Sequence, residues 1–217
     1  LNIGLIVSED NQLSADELLM KAGVALDFSR KSKGKIIQPY EAAIEKDIQK
    51  KHSLEIDLHK ALSNDELEVY YQPKVEVGSR KIISAEALLR WHRKGKEWVS
   101  PFDFIPIAEK TGLIIAIGEW VLKKACLNAK QWNRQCSAKI SVAVNLSSVQ
   151  FIHGDLVEKI KSILTLTGLE AKYLQLEITE SLTLHDIDFV IAELNKLKAL
   201  GIRVALDDFG TGFSSLT

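Results

Sequence analysis

Residues 141–148 read SVAVNLSS, residues 174–181 read LQLEITES and residues 203–212 read RVALDDFGTG. Each run begins with apolar residues at alternate positions, which is typical of a β-strand. Helical patterns from Asp155 to Leu166 and from Ile187 to Leu200 separate the three runs, and a glycine ends each helix. This alternation of strands and helices predicts an α/β fold built on a parallel sheet.

Each of these strands ends in an oxygen-bearing side chain. Asn145 ends the first, Glu177 the second, and the pair Asp207 and Asp208 the third, while the upstream run SAEALLRW adds Glu86. Because the carboxyl ends of parallel strands meet at one rim, as in a barrel, these side chains are expected to lie close together. Such oxygens suit magnesium, manganese or calcium, so the residues predict a divalent-metal site. For any single position the alternative is a solvated helix cap.

Two more features lie near the same rim. Arg90 follows Glu86 by four residues on the same strand face, where its guanidinium could grip a phosphate oxygen. The glycine-bearing segment 208–213 is interpreted as a loop that closes over the site, with Glu180 accepting its backbone N–H groups. The alternatives are a surface ion-pair partner for Arg90 and an ordinary turn for the loop.

The middle of the chain predicts a β-hairpin followed by two helices. LEVYYQPKVEV and KIISAEALLRW are alternating runs on either side of a turn at residues 78–80, so the first two strands are expected to be antiparallel. HRKGKEWVSP (92–101) is predicted to be a loop. A short helix is expected to end at Gly112, and a longer one is expected from Glu119 to Trp132.

The start of the chain predicts a smaller strand–helix–strand segment. Residues 1–7 have a strand pattern, Ser14 and Glu17 form a capping box before a helix, and Pro39 ends a second short strand. About forty residues of this kind are too few for an independent domain. Residues 41–62 then predict a connecting helix with a charged, solvated face.

The composition excludes several function classes. The chain is 46% hydrophobic and 26% charged. Its 28 Lys and Arg residues are balanced by 29 Asp and Glu residues, so no overall positive charge favours binding of polymeric nucleic acid or of an anionic membrane. No apolar stretch is long enough to span a bilayer. The two cysteines lack ligand spacing and predict reduced thiols in the cytoplasm. The chain starts at Leu1 rather than Met, which suggests a larger parent protein whose upstream segment could carry a membrane anchor.

Six motifs, in their order along the chain, resemble those of the EAL phosphodiesterase domain. They are YQP at 71–73, EALLRW at 86–91, Pro101 with FIPIAE at 104–109, VNLS at 144–147, LEITES at 176–181 and DDFGTG at 207–212. The resemblance covers residues 54–217. Residues 1–40 resemble the closing strand–helix–strand of a GGDEF diguanylate cyclase domain, without the glycine-rich signature loop of a cyclase.

The EAL resemblance implies a modified TIM barrel whose first strand is antiparallel, and hydrolysis of cyclic di-GMP to linear pGpG with two Mg²⁺ or Mn²⁺ ions. It implies that Glu86, Asn145, Glu177 and Asp207 hold metal, that Glu86, Asp207 and Asp208 are catalytic, and that Gln72 and Arg90 touch the ligand. Members of the family are often homodimers.

The family pattern continues with three further elements that are absent before Thr217: a lysine-bearing strand, a glutamate strand and a glutamine. By the strand count the barrel is therefore expected to be incomplete in this chain, with five of eight strands. Two alternatives to the enzyme stay open. One is a receptor that binds cyclic di-GMP without catalysis, and the other is an inactive fragment that lacks the last strands.

Overall fold

The computed structural model describes residues 1–7, 13–31, 36–95, 98–136, 139–152, 155–179 and 187–207. The chain divides into two compact units, Leu1–Ile56 and Asp57–Thr217, and the boundary between them falls within one helix.

The first unit contains the predicted strand–helix–strand segment. β1 (Ile3–Leu5) pairs in parallel with β2 (Ile37–Pro39), α1 (Ala15–Lys31) connects them, and α2 (Ala42–Ala61) follows. The predicted capping box is confirmed. The backbone N–H of Ser14 donates to Oε2 of Glu17 at 2.8 Å, and the N–H of Glu17 donates to Oγ of Ser14 at 3.3 Å. These two bonds satisfy donors that the first turn of α1 leaves without helical partners.

The second unit alternates strands and helices. Its elements are β3 (Leu67–Val75), β4 (Ile82–His92), β5 (Trp98–Val99), α3 (Pro101–Thr111), α4 (Leu113–Gln135), β6 (Ser141–Leu146), α5 (Ser148–Ile152), α6 (Leu156–Thr167), a 3₁₀ turn (Ala171–Tyr173), β7 (Leu174–Thr179), α7 (Ile187–Ala199) and β8 (Arg203–Asp207). The sheet order is β3–β4–β6–β7–β8. β3 and β4 are antiparallel, as predicted from the hairpin, whereas β4, β6, β7 and β8 run parallel.

Three elements differ from the sequence prediction. The segment 92–101 is not wholly a loop, because β5 pairs with the end of β4, and α5 was not predicted at all. A two-residue strand and a five-residue helix are too short to produce a periodic pattern. The third difference is α4, which begins at Leu113 rather than Glu119. Gly118 lies inside this helix, and a Cβ at its position would overlap the side-chain amide of Gln150, so the close packing of Gln150 accounts for a glycine here.

The two faces of the sheet carry different side chains. On the face that packs against the helices, Val142, Leu174 and Leu176 are fully buried. The opposite face is polar and carries the predicted site residues, because successive side chains of a strand point to opposite faces. In α4, burial raises the pKa of the Cys126 thiol to about 12, so this thiol stays protonated within the core. Cys136 is exposed, and both cysteines are free.

Phe104 of α3 is a main contact between that helix and the sheet. It is fully buried, and its ring lies edge-on to Trp91 of β4 with the centroids 5.5 Å apart. The indole N–H of Trp91 donates to Oε2 of Glu66 at 3.1 Å, which fixes the orientation of the indole ring. This packing fixes α3 beside the carboxyl end of β4.

Replacing Phe104 by alanine is expected to lower the free energy of unfolding by about 3–5 kcal/mol, because it leaves a cavity in the core. Phe102, two residues earlier in the same helix, is 92% exposed and supplies a matched control. Phe102→Ala is expected to change stability by less than about 0.5 kcal/mol. Urea unfolding followed by tryptophan fluorescence measures both changes. Equal losses in the two variants would contradict the packing described for Phe104.

Candidate active site

The polar face of the sheet collects side chains from all five main strands. Strand pairing places Gln72 of β3 directly opposite Glu86 of β4, and Asn145 of β6 directly opposite Glu177 of β7. Directly opposite residues share a face of the sheet, and Glu86 is opposite Ala143, two residues before Asn145, so these four side chains are on the same side. The other face of the strands is occupied by the apolar core.

Three of the four predicted metal ligands meet in one hydrogen-bonded group. The Nδ2 atom of Asn145 donates to Oε1 of Glu86 at 3.0 Å. The ammonium of Lys74 lies 3.1 Å from Oε2 of Glu86 and 2.6 Å from Oε1 of Glu177. Nε2 of Gln175 also donates to Oε1 of Glu177, at 2.9 Å. Glu86, Asn145 and Glu177 therefore converge, although they come from three different strands.

The position of Glu86 within its strand differs from the prediction. Glu86 was expected at the end of a strand, but β4 runs from Ile82 to His92 and Glu86 lies near its middle. The parallel pairing of β4 with β6 covers only Ser84 to Ala87, and the rest of β4 pairs with β3 and β5. Glu86 thus lies near the end of the parallel part of the strand, which explains why it reaches Asn145.

Asp207 and Arg90 border a cleft beside this group. The cleft has a volume of about 370 Å³ and lies between the ends of the parallel strands and helices α3 and α4. Asn145, Ser147 and Thr179 also line it. Asp207 is the last residue of β8 and pairs with Thr179, two residues beyond Glu177. Asn145 lines the cleft and also belongs to the group formed with Glu86 and Glu177. Asp207, on the same cleft, is therefore next to that group.

Arg90 is held at the edge of the cleft by two contacts. Its Nη1 atom donates to the carbonyl oxygen of Leu89 at 2.9 Å, and its guanidinium lies 5.8 Å from the centre of the Tyr70 ring. The side chain is half-buried, so part of the guanidinium faces solvent. Gln72 is exposed on the same face of the sheet.

Two predicted residues, Glu180 and Asp208, lie outside the described residues.

The loop that follows Asn145 is anchored from two sides. The hydroxyl of Ser147 donates to Oε1 of Glu109 in α3 at 2.6 Å. The backbone N–H of Ser147 donates to Oε1 of the buried Gln150, whose amide occupies the space above Gly118. The first bond connects the end of β6 to α3, and the second connects it to α5, whose Gln150 packs against Gly118 of α4. Together they hold the backbone next to Asn145 at the rim.

Lys74 and Gln175 were missed by the sequence analysis. Lys74 follows Gln72 by two positions, and Gln175 precedes Glu177 by two positions. Each therefore lies on the same strand face as the predicted site residue. Period-two spacing from Gln72 and Glu177 was the signal that could have identified them. Burial lowers the pKa of the Lys74 ammonium, but its hydrogen bonds and charge interactions with Glu177 and Glu86 outweigh burial, so the pKa is raised overall.

The donor set fits a hard divalent cation in its chemistry. Glu86 and Glu177 supply carboxylate oxygens, and Asn145 supplies a carbonyl oxygen while its Nδ2 atom donates to Glu86. Within the described part of the chain, no group of three acidic, histidine or cysteine side chains is clustered for a metal. The converging set contains two carboxylates and an amide, together with the ammonium of Lys74.

Comparison with known proteins identifies the family. A model of the EAL domain matches residues 55–217. The chain belongs to the EAL domain family. The family expected from the six motifs is therefore confirmed. The described helices include none that is long and apolar enough to cross a membrane.

Relatives of this EAL chain carry names that state their activities. The bifunctional diguanylate cyclase/cyclic di-GMP phosphodiesterase MucR of Pseudomonas aeruginosa is 37% identical over 215 residues, which are 99% of this chain and 31% of the relative. The cyclic di-GMP phosphodiesterase NbdA of the same organism is 32% identical over 99% of this chain and 28% of the relative. The chain thus spans less than a third of the length of either protein.

A solved EAL structure has the same fold. The PaMucR phosphodiesterase in complex with cyclic di-GMP aligns with a TM-score of 0.72 and 44% identity, covering 75% of this chain and 66% of that one. The α/β architecture of TIM-barrel type predicted for the second unit is confirmed by this similarity.

Proposed function

We propose that this chain is the catalytic EAL part of a metal-dependent phosphodiesterase that hydrolyses cyclic di-GMP to linear pGpG in bacterial signalling. The observation that carries the proposal is the convergence of Glu86, Asn145 and Glu177 on one face of the sheet, beside a cleft that Arg90 and Asp207 border. The relatives named as cyclic di-GMP phosphodiesterases and the similarity to a structure with cyclic di-GMP bound support this substrate.

The proposed roles follow from the chemistry of each side chain. Glu86, Asn145, Glu177 and Asp207 would hold two divalent cations, Mg²⁺ or Mn²⁺, and Asp208 would be a further acid next to them. Bound cations of this kind supply an activated water nucleophile and neutralise charge on phosphate oxygens.

Contacts with the substrate fall to other residues. Arg90 would bind a phosphate oxygen, since guanidinium groups form charge-assisted bonds with phosphate. Gln72, opposite Glu86, would touch the ligand from the neighbouring strand. Glu180 would position the loop that follows Asp208.

Residues 1–40 of the first unit are proposed to be the carboxyl-terminal remnant of a GGDEF-like domain, joined through the helix predicted at 41–62 to the EAL part that starts near residue 54. The support is that the match to the bifunctional relative MucR extends over 99% of this chain. We also propose a cytoplasmic location for the chain. The two free cysteines support it, since disulfides are rare in that compartment. The homodimer expected from the family stays a prediction, which sedimentation of the purified protein tests.

The function is tested by incubating the purified protein that carries this chain with cyclic di-GMP and separating the nucleotides by chromatography. We expect linear pGpG to form with Mn²⁺ or Mg²⁺, to stop on addition of EDTA, and to form again when metal is restored. Cyclic di-GMP that is bound but not hydrolysed, with either metal, would identify a receptor instead. A folded protein that neither binds nor hydrolyses cyclic di-GMP would match the inactive-fragment alternative.

A further inference from the structure

Lys74 connects two of the carboxylates that the proposed function assigns to metal binding. Its ammonium reaches Glu177 at 2.6 Å and Glu86 at 3.1 Å, and these two acids come from β7 and β4, which are separated in the sheet by β6. The side chain of Glu177 is only 6% exposed, so water screens its interaction with Lys74 poorly. Two carboxylates near one point repel each other unless a cation lies between them.

Each carboxylate also has a neutral donor that does not depend on Lys74. Gln175 donates to Oε1 of Glu177, the same oxygen that Lys74 contacts. Asn145 donates to Oε1 of Glu86, whereas Lys74 contacts Oε2. Removing the ammonium therefore leaves both carboxylates oriented by neighbouring amides. What it removes is the positive charge between them.

We propose that Lys74 is a positioning residue that holds Glu86 and Glu177 together before metal binds and competes with divalent cations for these two carboxylates. The inference rests on the proposed function, because it takes Glu86 and Glu177 as metal ligands. A lysine ammonium is a compact charge on a flexible four-carbon stem, and the side chain of Lys74 is 39% exposed, so it can swing towards solvent when a cation enters. Lys74 thus weakens metal binding and stabilises the metal-free protein.

The test measures Mn²⁺ affinity directly, through the paramagnetic resonance signal of free Mn²⁺ in titrations without substrate. Lys74→Met keeps most of the unbranched stem and removes the ammonium, so it is expected to bind Mn²⁺ at least about tenfold more tightly than the wild type. Lys81→Met is the matched control. It removes one positive charge from an exposed position just before β4, and its affinity is expected to stay within about twofold of the wild type.

A second measurement separates competition from a purely structural role. The metal-free Lys74→Met protein is expected to melt at a lower temperature than the wild type, and to gain more stability from saturating Mn²⁺, because tighter binding stabilises the folded state more. Lys74→Gln, which keeps a polar side chain, is expected to shift the affinity in the same direction. Thus the conclusion does not depend on the folding of one variant.

The possible results distinguish the two proposals. If the wild type binds Mn²⁺ and both Lys74 variants bind it no more tightly, Lys74 is not a competitor, and the metal site itself stands. If the folded wild type does not bind Mn²⁺ at all, the metal-dependent function fails and the role of Lys74 fails with it. Tighter binding in both variants, with Lys81→Met unchanged, supports the inference.

Discussion

Replacing Glu86 by glutamine is expected to reduce the hydrolysis of cyclic di-GMP by at least about a thousandfold. The amide keeps the shape of the side chain and an oxygen that can accept from Asn145. It removes the negative charge that pairs with Lys74 and that a divalent cation requires. The rate of pGpG formation at saturating Mn²⁺ measures the loss, and circular dichroism is expected to show an intact fold.

The control for this variant is Glu158→Gln. Glu158 lies on α6 with its side chain 76% exposed, and its ion pair with Lys161 is a surface contact of little energetic weight. Turnover is expected to stay within about twofold of the wild type, since surface ion pairs contribute little. If Glu86→Gln retained wild-type turnover, Glu86 would have no place in the catalytic centre, and the proposed function would lose the residue that joins β4 to the site.

Asp207→Asn is expected to have the second large effect, a loss of turnover of several orders of magnitude. Asp207 ends β8 and lines the cleft together with Asn145 and Arg90. In the proposed function its carboxylate would hold a cation next to a bound phosphate. We expect the variant to fold normally, because this side chain is partly exposed and contributes little to the core. Product formation over a range of Mn²⁺ concentrations checks whether excess metal restores activity.

The same exchange at Asp27 provides the comparison. Asp27 is exposed in α1 of the first unit, where its contact with Arg30 is 3.8 Å long. Asp27→Asn is expected to leave turnover unchanged within about twofold, because an exposed charge outside the site is screened by water and salt. Wild-type activity in Asp207→Asn would remove that carboxylate from the site and restrict the metal set to Glu86, Asn145 and Glu177.

Local patterns were sufficient for the sheet but not for all of the site. Alternation in β3 and β4 predicted the hairpin, and the apolar runs that carry Asn145, Glu177 and Asp207 predicted parallel strands. These patterns are informative because successive side chains of a strand point to opposite faces of the sheet. The early start of α4 was missed because Gly118 interrupts an apolar run, and only the packing of Gln150 explains the glycine.

The contact between Lys74 and Glu177 shows what a single sequence leaves out. The two residues are 103 positions apart, and nothing in the composition of either strand specifies the other. The contact depends on the positions of β3, β4, β6 and β7 side by side in the sheet, and this strand order is a property of the whole sheet. The same holds for the bond between Ser147 and Glu109, which joins a loop to a helix 38 residues earlier.

The hairpin pairing shifts register between Lys74 and Val75, where Ile83 is the additional residue of β4. This bulge separates the part of the hairpin that aims Lys74 and Glu86 from its tip at residues 77–79, where Val77 is almost fully exposed. The tip is therefore a suitable place to insert an epitope or a fluorescent label. A probe attached there would report on the protein in living cells while the positions of Lys74 and Glu86 stay as they are.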